Sequence, residues 1–111
     1  MRILLETPSD GAAVLHIHGR LDLTAASEVK SAILRAVDNG RPQVVVDLKD
    51  VPFIDSSGLG ALIGGLRAAR TAGGDLRIAN PGPQARMILE LTTLDRVLVT
   101  HETVEAALAA D

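Results

Sequence analysis

The segment FIDSSGLGALIGG, residues 53–65, places two neighbouring hydroxyls beside a carboxylate where an apolar strand gives way to a helix. Ser56 and Ser57 follow Asp55 directly, at a helix start where backbone N–H groups point outward and favour negative charge. One interpretation is structural, because serine is a common helix N-cap. The other is functional, with one hydroxyl presented to a partner or a modifying enzyme. The residues alone leave both interpretations open.

A phosphate on one of these serines would act as a charge switch. It adds about −1.5 to −2 charges, which the helix N-terminus partly stabilises. Asp55 is adjacent, and Asp22 is expected nearby because both residues follow neighbouring strands. Charges of about −2 and −1 on the order of 6 Å apart repel by roughly 3 kcal/mol at an effective dielectric constant of ~40. Against an acidic partner group, that repulsion lowers affinity on the order of 100-fold.

The helix after the serines is rich in glycine. Its apolar residues recur at helical spacing and predict a buried stripe made of Leu59, Leu62, Ile63 and Leu66. The remaining surface is then formed by small residues, Gly60, Ala61, Gly64, Gly65 and Ala68. Glycine in a helix interior costs about 0.5–1 kcal/mol relative to alanine. The small-residue surface therefore indicates either a docking face for a partner or tight packing within the domain.

Other chemistry at this segment is disfavoured. A Walker A loop needs Lys after its last glycine, and the dinucleotide fingerprint places its glycines between strand and helix. Ser56 lacks the GxSxG context of a hydrolase nucleophile. His16 and His18 alternate on one strand face and are interpreted as solvent-facing or packed residues, because no further Cys or His completes a zinc site. We expect no catalytic residue, metal or cofactor.

Composition narrows the class of protein. A chain of 111 residues fits one domain, residues 1–111, and 47% hydrophobic with 23% charged residues indicates a globular fold. A net charge of −3 and a single aromatic residue disfavour nucleic-acid binding. The apolar runs fall short of the ~18 residues of a membrane span, and the N-terminus lacks the features of a signal peptide. With no cysteine, the expected location is the cytoplasm and no membrane contact is expected.

Strands and helices alternate along the chain around these serines. A hairpin is predicted from Arg2–Glu6 and Ala12–His18, followed by a helix at residues 25–38 with Thr24 as its N-cap. The later patterns predict a central strand at 44–48, a helix at 57–72, a strand at 76–79, a helix at 83–92, a strand at 97–100 and a helix at 103–110. Such alternation implies right-handed crossovers and a mainly parallel sheet, which the hairpin makes mixed. The fold class is α/β.

Three segments give the chain a resemblance to the STAS domain of bacterial anti-sigma factor antagonists. They are Gly19-Arg20-Leu21-Asp22, VVVDLKDVPFIDSSGLGAL at residues 44–62, and GGDLRIANPGPQARMILELTTLDRVL at residues 73–98. With the opening hairpin they cover nearly the whole chain. The resemblance implies a STAS fold: a mixed, mainly parallel sheet with an N-terminal hairpin and about four helices.

The resemblance also implies a partner-switching role. In this family the unphosphorylated antagonist binds an anti-sigma factor that is also an ATP-dependent serine kinase, and the sigma factor is released. The kinase phosphorylates the antagonist, which then dissociates, and a Ser/Thr phosphatase resets it. ATP and magnesium belong to the kinase, so the chain itself is not expected to be an enzyme.

Carried over residue by residue, the resemblance makes Ser56 the phosphoacceptor. Ser57 matches the next motif position and is expected to be the local helix cap. Asp22 and Asp55 match acidic positions associated with kinase contact. The expected partner-binding residues are Asp22, Asp55, Ser57, Gly58, Leu59, Gly60, Ala61 and Gly64.

Three alternatives stay within the same fold. They are a stressosome-like scaffold protein, the small STAS subunit of a lipid-transport complex at the inner membrane, and a module that binds a small molecule near the N-terminus of the second helix. The intact Asp-Ser-Ser-Gly motif favours the phosphorylatable class, because the scaffold and transport versions need no acceptor serine.

Overall fold

The structure, a computed structural model, describes residues 1–110. A five-stranded sheet runs in the order β1 to β5, with β1 Arg2–Glu6, β2 Ala12–His18, β3 Gln43–Asp50, β4 Asp75–Ala79 and β5 Thr100–His101. Within residues 1–110 four α-helices accompany it: α1 Leu23–Asp38, α2 Ser56–Thr71, α3 Pro83–Leu91 and α4 Val104–Ala109. Strands β1 and β2 are antiparallel and all later pairs are parallel. The predicted α/β fold with a mixed sheet is therefore confirmed.

The central strand β3 is the predicted apolar run. Residues Val44 to Leu48 are all buried, as expected for a strand covered on both faces. Alternate residues of the sheet enter two separate clusters. Val44, Val46 and Leu48 pack with α1 and α2, whereas Val45 packs on the opposite face against Ala107 of α4. The sheet is thus covered broadly on one face and only by the short α4 on part of the other.

The predicted final strand is displaced. Residues Leu94–Arg96 form a 3-10 helix, and the N–H groups of Val97 and Leu98 both donate to the Leu94 carbonyl. Those two N–H groups therefore close a turn instead of entering the sheet, and β5 begins only at Thr100. The prediction of a strand at 97–100 is wrong for this reason. The other predicted elements differ from the structure by about two residues or fewer at their ends.

Candidate functional site

The carboxyl ends of the second and third strands bring the starts of α1 and α2 together. Leu21 forms a parallel bridge with Ile54, and the Leu21 N–H donates to the Phe53 carbonyl at 2.9 Å. The Asp55 N–H donates back to the Leu21 carbonyl at 3.3 Å. Asp22 and Asp55 are the residues that follow this bridge on either side. The prediction that these two residues lie close together is confirmed.

Asp55 is the N-cap of α2. Its Oδ1 accepts a hydrogen bond from the Gly58 N–H at 2.9 Å, while its Oδ2 accepts from the Leu23 N–H of α1 at 3.2 Å. The prediction that Ser57 is the cap is wrong, because α2 already begins at Ser56 and Ser57 therefore lies inside its first turn. One carboxylate thus satisfies the free N–H groups of two helices.

Asp22 caps α1 in place of the predicted Thr24. It accepts hydrogen bonds from the Thr24 N–H at 3.1 Å and from the Thr24 hydroxyl at 2.7 Å. The Thr24 hydroxyl, together with the Thr24 amide and the nearby Arg20, holds the pKa of Asp22 below its usual value. Asp22 is therefore ionised at neutral pH. The Arg20 guanidinium lies 3.4 Å from Asp22 Oδ2 and 4.3 Å from the centre of the Phe53 ring.

Ser56 is the first residue of α2 and its side chain is exposed. No hydrogen bond within residues 1–110 engages its hydroxyl, since the capping role belongs to Asp55. Ser57 is half-buried. The structure therefore removes the capping explanation for both serines and leaves the hydroxyl of Ser56 open to solvent.

The exposed small-residue surface of α2 is narrower than predicted. Ser56, Gly60 and Gly64 recur at four-residue spacing and so share one helix face. At Gly60 a methyl group would meet nothing within 4 Å, so this position is open. At Gly64 it would lie 2.9 Å from Cε of Lys30, whose side chain covers the glycine. The open part of this face is thus Ser56 and Gly60, with Gly64 at its margin.

Two of the small residues assigned to that surface, Ala61 and Gly65, are buried. Ala61 is only 5% exposed, and Leu59, which was predicted in the buried stripe, is 3% exposed. A methyl group on Gly58 would collide with the Leu21 carbonyl, and one on Gly65 would lie 2.7 Å from Cδ1 of Ile33. The prediction of an exposed surface is therefore wrong for Ala61 and Gly65. The absence of a side chain at Gly58 and Gly65 allows α2 to approach the Leu21 turn and α1, so packing within the domain explains both glycines.

A polar cluster on the sheet was not predicted. The Nδ1 of His16 lies 2.7 Å from Asp47 Oδ2 and its Nε2 lies 2.9 Å from Glu6 Oε1. The almost fully buried Asp47 also accepts from the Asn80 amide at 2.9 Å and from the Lys49 N–H at 3.0 Å. An aspartate inside an otherwise apolar strand was the available signal in the sequence. His16 is thus a packed residue, one of the two interpretations given for it.

The environment sets the charges of this cluster. The hydrogen bond to Glu6 raises the pKa of His16, burial opposes that rise, and Asp47 adds to it. Burial raises the pKa of Asp47, but the hydrogen bonds from Asn80, His16 and the Lys49 N–H outweigh burial and leave the pKa below its usual value. Across residues 1–110, no group of His, Asp and Glu side chains is arranged to hold a metal ion.

None of the helices that the structure describes in residues 1–110 has both the length and the apolar character needed to cross a membrane.

Comparison with known proteins agrees with this geometry. The STAS domain model matches residues 5–107. The anti-sigma F factor antagonist of Lysinibacillus sphaericus is 27% identical over 95 residues, which cover 85% of this chain and 81% of that protein. An anti-sigma factor antagonist structure from Mycobacterium paratuberculosis is 30% identical, with a TM-score of 0.84 over 96% of this chain and 90% of that chain.

A second structure shares the fold at lower identity. It is the Bacillus cell fate determinant SpoIIAA in its phosphorylated form, with a TM-score of 0.73, 24% identity, and coverage of 95% of this chain and 96% of that one. The family model, the two relatives above and the STAS architecture lead to the same assignment. The chain belongs to the STAS domain family, among the anti-sigma factor antagonists.

Proposed function

We propose that this protein is a partner-switching regulator that binds an anti-sigma factor in its unphosphorylated form and is released when Ser56 is phosphorylated. The observation that carries the proposal is the Ser56 side chain, exposed on the first residue of α2 with no hydrogen bond to its hydroxyl within residues 1–110. Two helix-capping carboxylates, those of Asp22 and Asp55, lie at the same end of the sheet, at the carboxyl ends of β2 and β3.

Hydrogen bonding around the start of α2 leaves a phosphate on Ser56 poorly compensated, so the phosphate would strongly change the charge of the contact surface. Helix N-termini ordinarily stabilise a phosphate through free N–H groups. Here the Gly58 and Leu23 N–H groups are already bonded to Asp55, and the Thr24 N–H is bonded to Asp22. A phosphate would therefore find less compensation than at an uncapped helix, and its charge would be directed at whatever lies against the surface. An acidic contact on the partner would be repelled.

The proposed partner is an anti-sigma factor that is also an ATP-dependent serine kinase. Its contact surface would include Asp22, Asp55, Ser57 and Gly60, which lie around the acceptor hydroxyl. The proposed contribution of the buried residues is indirect, because the packing of Gly58, Leu59 and Ala61 sets the position of α2. Binding would free the sigma factor, and a Ser/Thr phosphatase would restore the unphosphorylated form. These partners act on transcription, which places the proposed role in the cytoplasm.

Two comparisons support the proposal. Relatives at about a quarter identity carry the name of anti-sigma factor antagonists, including those of the sigma F and sigma B systems. A protein of the same fold has been solved in a phosphorylated form. The alternatives as a scaffold or transport subunit give no reason for an acceptor hydroxyl that lies free at the surface.

The test uses the anti-sigma factor kinase encoded in the source genome. Intact-mass spectrometry after incubation with kinase and ATP should show one added phosphate on wild type and on Ser57→Ala, and none on Ser56→Ala. Isothermal titration should give Ser56→Ala an affinity within about threefold of wild type. Ser56→Asp should bind at least about tenfold more weakly, since it adds a single charge instead of two. Phosphate on Ser56→Ala, or unchanged affinity for Ser56→Asp, would refute the proposal.

A further inference from the structure

The edge strand β1 is exposed and unprotected. It pairs with β2 in an unbroken register over Arg2–Glu6 and has no neighbour on its outer side within the described chain. Leu4 is 47% exposed and Leu5 is 61% exposed, on opposite faces of the strand. Natural sheets usually blunt such edges with charged side chains, above all lysine, or with proline, bulges or very short strands. The sequence RILLE carries charges only at its two ends, Arg2 and Glu6, and has no lysine, proline or bulge.

The opposite edge of the sheet shows the contrast. Strand β5 has only two residues, Thr100 and His101, and so offers little backbone for pairing. Strand β1 offers five residues. The backbone groups that remain free to pair with another strand therefore lie mainly on β1. Strand β2 separates β1 from β3, the strand that leads to Ser56.

The sequence of β1 is complementary to itself when it is read in the antiparallel direction. We propose that β1 pairs with β1 of a second copy of this chain around a two-fold axis at Leu4. In this register Leu4 opposes Leu4 of the second copy, Ile3 opposes Leu5, and Arg2 opposes Glu6. Every aliphatic residue meets an aliphatic residue, and each of the two charges meets its opposite. Parallel in-register pairing would instead place Arg2 against Arg2 and Glu6 against Glu6.

The two faces of the strand support the same register. Arg2, Leu4 and Glu6 pair in the sheet with His18, His16 and Val14, so they share the face opposite α1 and α2. There the Leu4 pair would lie between two Arg–Glu pairs. The Glu6 carboxylate is already fixed by His16 through Oε1 and is 56% exposed, so its other oxygen is free for an arginine.

On the other face lies a groove between β1 and α1 that the pairing would close. Its volume is about 520 Å³, and its lining is part apolar, from Ile3, Leu5, Leu15, Ala32 and Ala36, and part polar, from Glu28, Arg35, Asn39 and Arg41. In the proposed register, Ile3 and Leu5 of the second copy lie beside Leu5 and Ile3 at the outer side of this groove. Aliphatic surface that now faces water would be covered.

The pairing makes the dimer symmetric and closed, because the same strand is used by both copies. A five-residue strand buries less area than the ~1,200 Å² of stable interfaces, so we expect a weak, concentration-dependent dimer. This inference is independent of phosphorylation at Ser56.

Cysteine cross-linking tests the register directly. The chain contains no cysteine, so each introduced thiol is unique. Directly opposed residues of antiparallel strands have Cα atoms about 4.5–5.5 Å apart, within the range for a disulfide. Under mild oxidation, Leu4→Cys should form a covalent dimer at least about tenfold faster than Leu91→Cys, which is more exposed, at 77%, but lies on α3. Equal rates for the two variants would overturn the proposal.

A mixed experiment separates this register from other pairings. Ile3→Cys mixed with Leu5→Cys should yield a cross-linked heterodimer, whereas each variant alone should cross-link much more slowly. Homodimers that form as fast as the mixed dimer would overturn the antiparallel register.

Sedimentation velocity on the uncross-linked protein supplies a second readout. Arg2→Glu and Glu6→Arg should each weaken the dimer at least about fivefold, and the double variant Arg2→Glu/Glu6→Arg should recover most of the loss. Circular dichroism of each variant checks that the fold is kept. A wild type that stays monomeric up to about 1 mM, or a double variant no better than the single ones, would overturn the proposal.

Discussion

Asp55 Oδ2 accepts a hydrogen bond from the backbone N–H of Leu23 at 3.2 Å, across 32 positions of sequence. The same carboxylate accepts from the Gly58 N–H through Oδ1. The residue next to the proposed acceptor serine is therefore a structural link between the N-termini of α1 and α2. Its two hydrogen bonds fix the start of α2, and with it the direction in which the Ser56 side chain points.

Asp55→Ala should lower the free energy of unfolding by about 2 kcal/mol. The change removes a helix cap, which is worth about 0.5–2 kcal/mol, and leaves the Leu23 N–H without its partner. Asp55→Asn should lie between alanine and wild type, because its single carbonyl oxygen can replace only one of the two bonds. Urea denaturation monitored by circular dichroism measures the difference.

Ser56→Ala is the matched control for that experiment. Because the Ser56 hydroxyl carries no hydrogen bond within the described residues, its removal should change unfolding by less than about 0.5 kcal/mol. A loss as large as that of Asp55→Ala would show that the serine, not the aspartate, holds the helix start.

Gly58→Ala and Gly60→Ala should have opposite effects on stability. A methyl group on Gly58 collides with the Leu21 carbonyl, a backbone atom that cannot move aside cheaply. We expect a loss of about 1–3 kcal/mol, as for overpacking. The position of Gly60 is open, so alanine there should gain about 0.5–1 kcal/mol through helix propensity. Equal losses for the two variants would contradict the packing difference between them.

Gly60→Leu should weaken partner binding without unfolding the protein. The new side chain would project from the open face of α2 one turn after Ser56, where the proposed partner lies. We expect a loss of at least about tenfold in affinity for the anti-sigma factor kinase by isothermal titration. Gly64→Leu should have a smaller effect, because the flexible end of Lys30 already covers that position.

Thr71→Leu, at the exposed far end of the same helix, is the control for the docking experiment. It should bind like wild type. If Gly60→Leu bound as tightly as Thr71→Leu, the proposed contact surface would have to lie elsewhere.

The fold was predictable because its signals are local. Three such signals act within a few residues: the buried run at β3, the turn formers of the hairpin and the glycines after α2. Each of these elements lies where its pattern predicted it. The strand predicted at 97–100 failed because the apolar pattern does not show that Val97 and Leu98 donate to the Leu94 carbonyl. The sequence does not show which carbonyl each of these N–H groups binds, and that choice decides between a turn and a strand.

The site was predictable in part. The sequence places Ser56 at a helix start, but it does not show which neighbouring group takes the capping role from Ser57. That choice depends on Leu23, 32 positions from Asp55. The glycines of α2 pose the same problem, because docking and packing use the same residue type. Only the contacts of Gly58 with Leu21 and of Gly65 with Ile33 separate the two.

The contacts of His16 with Glu6 and Asp47 should make the free energy of unfolding depend on pH. The pKa of His16 is raised above 6.5, first by Glu6 and further by Asp47, so these contacts stabilise the fold fully below that pH and less as pH rises through the raised value. The pKa of Asp47 is lowered below 3.8, so its contribution is present above 3.8 and is lost as pH falls through the lowered value. The contribution of the contacts between His16 and Asp47 is therefore largest between about pH 4 and pH 6.5.

Urea denaturation at about pH 5.5 and pH 8.5 tests this dependence. Wild type should be less stable at the higher pH, and His16→Gln should lose most of that difference because it cannot become charged. His18→Gln, on the same strand face beside Asp50, is the matched control and should keep the difference seen in wild type, since its contact leaves Asp47 untouched. If His16→Gln and His18→Gln gave the same pH dependence, His16 would not be the group whose titration changes stability.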